Sequence, residues 1–144
     1  MQIRVINGPN INMLGRREPE IYGTAGYQEL CAQIEGHAEK LGIGVTILQS
    51  NHEGDLVDMI QDALGHADAI VINPGAYTHT SIAIMDAALA VGLPMVEVHI
   101  SDVTKREDFR QVSYIRQACE ITIMGHGING YLEALSYLAE KYNA

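Results

Sequence analysis

The stretch Ala69-Ile70-Val71-Ile72-Asn73-Pro74-Gly75 decides the fold class. Its first four residues form an unbroken apolar run rich in Ile and Val, which is typical of a strand buried on both faces of a parallel sheet. The three residues that follow are common turn residues. Four further runs of this kind predict four more strands, which cover residues 3–6, 45–48, 95–98 and 121–124.

Segments with the apolar spacing of amphipathic helices separate these runs, and another follows the last one. Their marker residues are Leu30, Ile34 and Leu41, then Leu56, Val57, Ile60 and Leu64, then Ile82, Met85 and Leu89, and finally Tyr131, Leu132, Leu135 and Leu138. Strands that alternate with helices imply right-handed crossovers and a parallel sheet. We therefore predict an α/β fold of the flavodoxin-like, doubly wound type: a five-stranded parallel sheet with helices on both faces, in one domain that spans residues 1–144.

The composition is that of a globular protein. Hydrophobic residues make up 47% and charged residues 19% of the 144 positions, which argues against disorder. A formal net charge of -9 argues against nucleic acid or an anionic membrane as a partner. Cys31 and Cys119 predict buried free thiols rather than a disulfide framework. Neither a signal peptide nor a window of roughly 18 apolar residues is visible, so we expect a cytoplasmic protein.

Polar residues follow each predicted strand, at the edge of the sheet where doubly wound folds bind ligands. The stretch after the first strand, residues 7–26, is long and irregular, as functional loops often are. His52, His79 and His99 each follow a strand. Plainer interpretations exist for all of these, since Asn, Gly and Pro make ordinary turns and a histidine after a strand is more often structural.

Several motifs that bind cofactors or activate nucleophiles are missing. The first strand is not followed by GxGxxG, and the sequence has no GK[ST] loop, no CxxC pair and no GxSxG elbow. We therefore predict neither a cofactor nor a metal. The main alternative from another class is a non-catalytic module that binds a phosphorylated or flavin ligand. Such a module needs a phosphate-binding loop after the first strand, where Pro9 removes a backbone donor.

Ordered sequence blocks along the whole chain closely resemble type II 3-dehydroquinate dehydratases. The blocks are residues 6–15, 17–19, 22–23, 49–54, 73–81, 97–101, 106–110 and 130–131. Departures are mild, such as Ile11 and Met13 in the first block. The resemblance implies a single catalytic domain that removes water from 3-dehydroquinate by anti elimination, through an enolate, and gives 3-dehydroshikimate. Such an enzyme would serve either the shikimate pathway of aromatic biosynthesis or quinate breakdown, because both use this reaction.

The resemblance also implies that no Schiff base forms, and the lysines agree with this. Lys40, Lys105 and Lys141 are the only three, and all lie outside the blocks, so covalent amine catalysis is poorly supplied. The family's usual assembly is a homo-oligomer, a dodecamer built from trimers. An enzyme of the same fold that acts on a different polyol acid remains the alternative within the enzyme class.

The catalytic roles come from the resemblance. Tyr22 corresponds to the base, and Arg17 to the cation that favours its phenolate. His99 corresponds to the general acid that protonates the departing hydroxyl, and Glu97, two residues earlier on the strand, orients it or pairs elsewhere. Asn10 corresponds to the residue that holds a water or dipole near the enolate oxygen. Without the resemblance, periodicity alone favours a plainer interpretation, in which Tyr22 is a packed aromatic at a turn and Arg17 is a solvated surface charge.

The substrate-binding residues also come from the resemblance. Asn73, Ser101 and the backbone of Ile100 correspond to groups that bind the substrate carboxylate. The remaining three correspond to groups that contact the ring hydroxyls: His79, Asp86 and Arg110. In this family the acid at the position of Asp86 reaches a neighbouring subunit's site, whereas by itself a helical aspartate is a plain exposed carboxylate.

Overall fold

A parallel sheet lies at the centre of the computed structural model, which describes residues 1–16, 20 and 26–143. Within the described chain, its five strands are β1 (Gln2–Asn7), β2 (Gly44–Gln49), β3 (Ala69–Asn73), β4 (Met95–His99) and β5 (Ile121–Met124). They pair in parallel in the order β2-β1-β3-β4-β5. This is the strand order of flavodoxin-like sheets, so the predicted fold class is confirmed. Each predicted strand is present and agrees within one residue at either end.

The helices pack against both faces of the sheet because strand side chains alternate in direction. Helices α1 (Tyr27–Leu41) and α4 (Asn129–Tyr142) cover one face, against Ile3, Val5 and Val71. Helices α2 (Glu53–Asp62) and α3 (Ile82–Val91) cover the other, against Ile6 and its neighbours on β3. The central strands β1 and β3 are therefore enclosed on both sides, which explains their unbroken apolar runs.

Helix α3 is where the sequence predicted, but its apolar spacing did not identify its buried face. Ile84, Ala87 and Ala88 are buried, whereas Ile82 and Leu89 are 51% and 56% exposed. The reason is that α3 is apolar on nearly all sides, so its periodicity carries little directional information. The outcome is an exposed apolar face on a helix of a very acidic chain.

The connection from β4 to β5 differs from the other crossovers because it contains three short 3-10 segments. They are Val103–Lys105, Asp108–Arg110 and Ile115–Ala118. The last one packs Ile115 into the core beneath α3, and the first two run along the carboxyl edge of the sheet. Cys31 and Cys119 are free and only partly buried. Among the described residues, no helix has the length and hydropathy needed to cross a membrane.

Candidate active site

A cavity of about 210 Å³ opens at the carboxyl ends of β1, β3 and β4. In the sheet, β2 lies on one side of β1, and β3 lies on the other side. The strand order therefore reverses at β1, and doubly wound folds bind ligands at such a switch point. The structure brings seven of the predicted site residues together in its wall: Asn10, Asn73, His79, His99, Ile100, Ser101 and Arg110.

The loops that leave β1 and β3 are pressed together at the cavity floor. The amide of Gly8 donates a 2.8 Å hydrogen bond to the carbonyl of Asn73. A Cβ atom at position 8 would lie 2.5 Å from the carbonyl oxygen of Pro74, so only glycine fits there. Asn10 then adopts a left-handed conformation with φ 70°, and its amide donates to Oδ1 of Asn51 at 3.0 Å. These contacts fix Asn10 at the cavity mouth.

The side chains of Glu97 and His99 form a buried pair at the end of β4. They are two residues apart on one strand and therefore point to the same face. Oε2 of Glu97 lies 2.6 Å from Nε2 of His99. Glu97 is fully buried and His99 is 5% exposed, so the imidazole separates the carboxylate from the cavity.

Glu97 accepts hydrogen bonds from several other groups as well. Thr78 donates to Oε2 at 2.5 Å, Ser113 donates to Oε2 at 3.0 Å, and Thr122 donates to Oε1 at 3.1 Å. Arg116 adds a positive charge, with Nε 3.8 Å from Oε1. Burial alone would raise the pKa of Glu97, but the hydrogen bonds and charge of His99, together with Thr78 and Ser113, hold it at about 2.

The contact with Glu97 indicates which ring nitrogen of His99 carries a hydrogen. At neutral pH Glu97 is an anion that can only accept, so Nε2 of His99 carries a hydrogen and donates it. The other ring nitrogen, Nδ1, is the one that Glu97 leaves for the cavity. The sequence had left open whether Glu97 orients His99 or pairs elsewhere, and it had not indicated the other partners of Glu97, which are Thr78, Ser113, Thr122 and Arg116. Only Thr122 left a signal, as a polar residue within an otherwise apolar strand.

His79 presents its second ring nitrogen as an acceptor. Nδ1 of His79 lies 2.7 Å from the carbonyl oxygen of Val112, which can only accept, so Nδ1 carries the hydrogen. Burial lowers the pKa of His79, and the charges of His99 and Arg110 lower it further, against the Val112 hydrogen bond and the charge of Glu97, which raise it. The lowered pKa favours the neutral ring, in which Nε2 can accept from a hydroxyl.

Two arginines give the cavity wall its positive charge. Arg110 is held by Glu107, with Nε 2.7 Å from Oε2, and Nε of Arg106 lies 3.8 Å from the same oxygen. Both line the cavity beside Ser101. Two guanidinium groups at one cavity of a chain with net charge -9 favour an anionic ligand. No role was predicted for Arg106 from the sequence. Its clustering with Arg110 in so acidic a chain could have indicated that it belongs to the site.

The structure does not bring every predicted site residue into the cavity wall. Asp86 is exposed on the outward face of α3 and does not line the cavity of its own chain. Arg17 and Tyr22 lie outside the described residues. Within the part of the chain that the structure describes, no group of three or more His, Cys, Asp or Glu side chains is arranged to hold a metal ion.

Fold and cavity together define a flavodoxin-like α/β protein with a buried carboxylate–histidine pair and two arginines at one cavity. The chain belongs to the class II dehydroquinase family, whose family model matches residues 1–139. It is 53% identical over 136 residues to a 3-dehydroquinate dehydratase of Lachnoclostridium phytofermentans, with 94% of each chain covered. It is 50% identical over 140 residues to catabolic 3-dehydroquinase 1 of Neosartorya fischeri, covering 97% of this chain and 93% of that one. The crystal structure of the type II dehydroquinase from Butyrivibrio crossotus superposes with a TM-score of 0.94 at 48% identity, covering 96% of this chain and 97% of that one.

Proposed function

We propose that this chain, as one catalytic domain, is a 3-dehydroquinate dehydratase that acts by anti elimination through an enolate. The observation that carries the proposal is the buried Glu97–His99 pair, which presents one free imidazole nitrogen to a cavity lined by two arginines. Relatives of that name at about half identity over nearly the full length support it. The reaction converts 3-dehydroquinate into 3-dehydroshikimate and water.

The first step removes a proton from the carbon beside the ketone, and we assign it to Tyr22. A free phenol has a pKa of about 10, so ionising it at pH 7 costs about 4 kcal/mol at 1.36 kcal/mol per pH unit. Arg17, five positions earlier, supplies the fixed positive charge that favours the phenolate and the developing enolate. Asn10, fixed in its left-handed conformation at the cavity mouth, holds a water or its own amide dipole at the enolate oxygen.

The second step expels the hydroxyl group, and His99 protonates it as it leaves. In the imidazolium form, Nε2 donates to Glu97 and the second proton is on Nδ1, the nitrogen that Glu97 does not occupy in a ring that lines the cavity. Transfer of that proton to the departing oxygen gives water and a neutral imidazole. Glu97 stays anionic because its oxygens already accept from Thr78, Ser113 and Thr122. Its function is to orient the ring and stabilise the imidazolium.

Substrate binding divides between the two sides of the cavity. The carboxylate binds to Asn73, Ser101 and the backbone of Ile100, all in the cavity wall. The ring hydroxyls contact His79 and Arg110. Nε2 of His79 is an acceptor for a hydroxyl hydrogen, and the guanidinium of Arg110 is a donor to a hydroxyl oxygen.

The working form that we propose is a homo-oligomer, namely the dodecamer built from trimers that is usual in the family. Asp86 supports it, because this carboxylate is on the same exposed side of α3 as Ile82 and Leu89 and does not line its own cavity. An exposed apolar face around a carboxylate is suited to contact with a second copy. In that assembly Asp86 contributes to a neighbouring subunit's site.

Replacing Leu89 tests this assembly. We expect Leu89→Asp to shift the protein to a smaller species in light scattering, because a charge would be buried in the contact. The matched control is Leu64→Asp, since Leu64 is 60% exposed and Leu89 56%, and Leu64 lies beyond α2 rather than on α3. Identical masses for wild type and Leu89→Asp would contradict the proposed contact.

We further propose that the enzyme works in the cytoplasm, in the shikimate pathway toward chorismate and the aromatic amino acids, or in quinate breakdown. Some of the relatives are named catabolic, and others are named only for the reaction. Since both roles use one reaction, the site residues serve either.

The activity is tested directly with purified protein and 3-dehydroquinate. The product is a conjugated enone, so its ultraviolet absorbance should rise with time in proportion to enzyme. Borohydride added with substrate should not inactivate the enzyme, because the proposed route has no imine. Absence of an absorbance rise from folded, assembled protein would remove the proposed function, and borohydride trapping would replace the enolate route with a lysine route.

A further inference from the structure

A buried, uncharged hydrogen-bond network lies directly behind the cavity, centred on the hydroxyl of Tyr131. Tyr131 is in the first turn of α4 and is fully buried. Its hydroxyl donates to Oδ1 of Asn7 at 2.7 Å and accepts from Nδ2 of Asn73 at 2.8 Å. Asn7 and Asn73 are register partners at the ends of β1 and β3, so one hydroxyl from α4 joins the two central strands where the cavity begins.

The directions of these hydrogen bonds are fixed by counting hydrogens. A tyrosine hydroxyl has one hydrogen, and Oδ1 of Asn7 can only accept, so Tyr131 gives its hydrogen to Asn7. The hydroxyl oxygen must then accept from Asn73. Burial raises the pKa of Tyr131, which keeps the hydroxyl protonated across the working pH range.

The network determines which way the Asn73 amide faces. Its nitrogen is turned toward Tyr131, and its oxygen accepts from the amide of Gly75 at 3.1 Å. Nδ2 has two hydrogens, and Tyr131 takes one of them, so the second is the donor that Asn73 can offer to the cavity. An amide turned the other way would offer an acceptor to an anion.

We propose that Tyr131 is a positioning residue that orients the Asn73 amide as a donor to the substrate carboxylate. The proposal rests on the function proposed above, in which Asn73 binds that carboxylate. It assigns a role in binding to a tyrosine that does not touch the substrate. Helix α4 can bring the hydroxyl this close because Gly130 has no side chain: a Cβ there would lie 3.3 Å from Cγ1 of Val98.

This role predicts an effect on substrate binding rather than on turnover. The carboxylate does not react, so its contacts are equally strong in the bound substrate and in the transition state. Losing such a contact raises KM and leaves kcat nearly unchanged. If the hydroxyl had a purely structural role, its removal would lower the free energy of unfolding. It would not raise KM while leaving kcat nearly unchanged.

The test is a double-mutant cycle with Tyr131→Phe, Asn73→Ala and the double variant, measured as KM and kcat for 3-dehydroquinate. We expect each single variant to raise KM roughly tenfold, equivalent to about 1.4 kcal/mol. The double variant should match Asn73→Ala alone, because Tyr131 acts through Asn73. The matched control is Tyr137→Phe, whose hydroxyl is on the same helix but hydrogen-bonds to Glu120 at the surface, and it should keep the wild-type KM.

Multiplicative increases of KM in the double variant, or a fall in kcat with KM unchanged, would overturn the positioning role. If Tyr131→Phe does not fold, Asn7→Ala replaces it: the Tyr131 hydrogen then has no acceptor on β1, the Asn73 amide is free to turn, and KM should rise in the same way. An unchanged KM in Asn7→Ala would overturn the proposal too. Failure of the proposed function is distinct, because it would appear in the wild type as absence of product.

Discussion

The cavity is supported by two buried hydrogen-bond networks that differ in charge. The network at the end of β4 surrounds the Glu97 carboxylate, with donors from His99, Thr78, Ser113 and Thr122. The network at the ends of β1 and β3 joins neutral groups through Tyr131. A buried charge is expensive unless it is paired, and its removal is costly in turn. In the mechanism that we propose, the charged network serves proton transfer, whereas the neutral network sets the direction of a binding group.

The largest expected effect is on the charged side, at His99. His99→Gln should lower kcat by roughly 10²- to 10⁴-fold, the usual contribution of a general acid, with a much smaller change in KM. Steady-state kinetics measure it. The matched control is His52→Gln, another histidine that follows a strand but does not line the cavity, and it should retain wild-type kcat. Equal losses in the two variants would mean that the charged network has no special part in turnover.

The next effect should come from Glu97→Gln, which keeps the shape of the side chain and removes its charge. We expect kcat to fall roughly 100-fold, because the imidazolium of His99 loses its counter-charge. One amide oxygen also cannot accept from all the donors that surround Glu97, so the free energy of unfolding should drop by about 1–3 kcal/mol. Kinetics and urea unfolding measure the two losses. Full activity in this variant would sink the assignment of Glu97 as the partner of the acid.

Acid unfolding should reveal the charge of the network around Glu97. With a folded-state pKa of about 2, Glu97 contributes stability that is fully present above the unfolded value of about 4.3 and is lost as pH falls through about 2. The loss is on the order of 3 kcal/mol at 1.36 kcal/mol per pH unit. Urea unfolding from pH 6 to pH 2 should therefore bring Glu97→Gln and wild type closer together in stability. Parallel curves would show that the carboxylate is not held as an anion.

The smallest effect should come from the outer edge of the neutral network. The hydroxyl of Tyr27 accepts from Nδ2 of Asn7 at 3.4 Å, a long hydrogen bond at a half-buried group. We expect Tyr27→Phe to cost less than about 1 kcal/mol in the free energy of unfolding and to leave KM within about twofold of wild type. A change in KM as large as that of Tyr131→Phe would extend the positioning network to α1.

The sequence was sufficient to predict the fold because buried parallel strands leave unbroken apolar runs, such as residues 69–72. It was insufficient for the buried face of α3, since a helix that is apolar on nearly all sides has no preferred direction. The path of the β4–β5 connection, with its 3-10 segments, also had no periodic pattern by which to predict it.

The candidate site was predictable where its residues follow strand ends, as Asn73 and His99 do, because the carboxyl ends of parallel strands meet at one edge. Their roles came from family resemblance rather than from spacing. The partners of Glu97 could not be predicted, since Thr78 and Ser113 come from distant segments that only the folded chain brings together. For the same reason, Tyr131 was recognised as part of a sequence block without any indication of its function.

The close contact between Gly8 and Pro74 also limits how this enzyme can be re-engineered. No side chain fits at position 8, because its first carbon would overlap the backbone that follows β3. A library that varies the loop after β1 must therefore keep this glycine or move both loops at once. If the glycine is replaced, the Asn10 side of the cavity and the Asn73 side change together, so a new substrate specificity can be selected on one side alone only in libraries that keep Gly8.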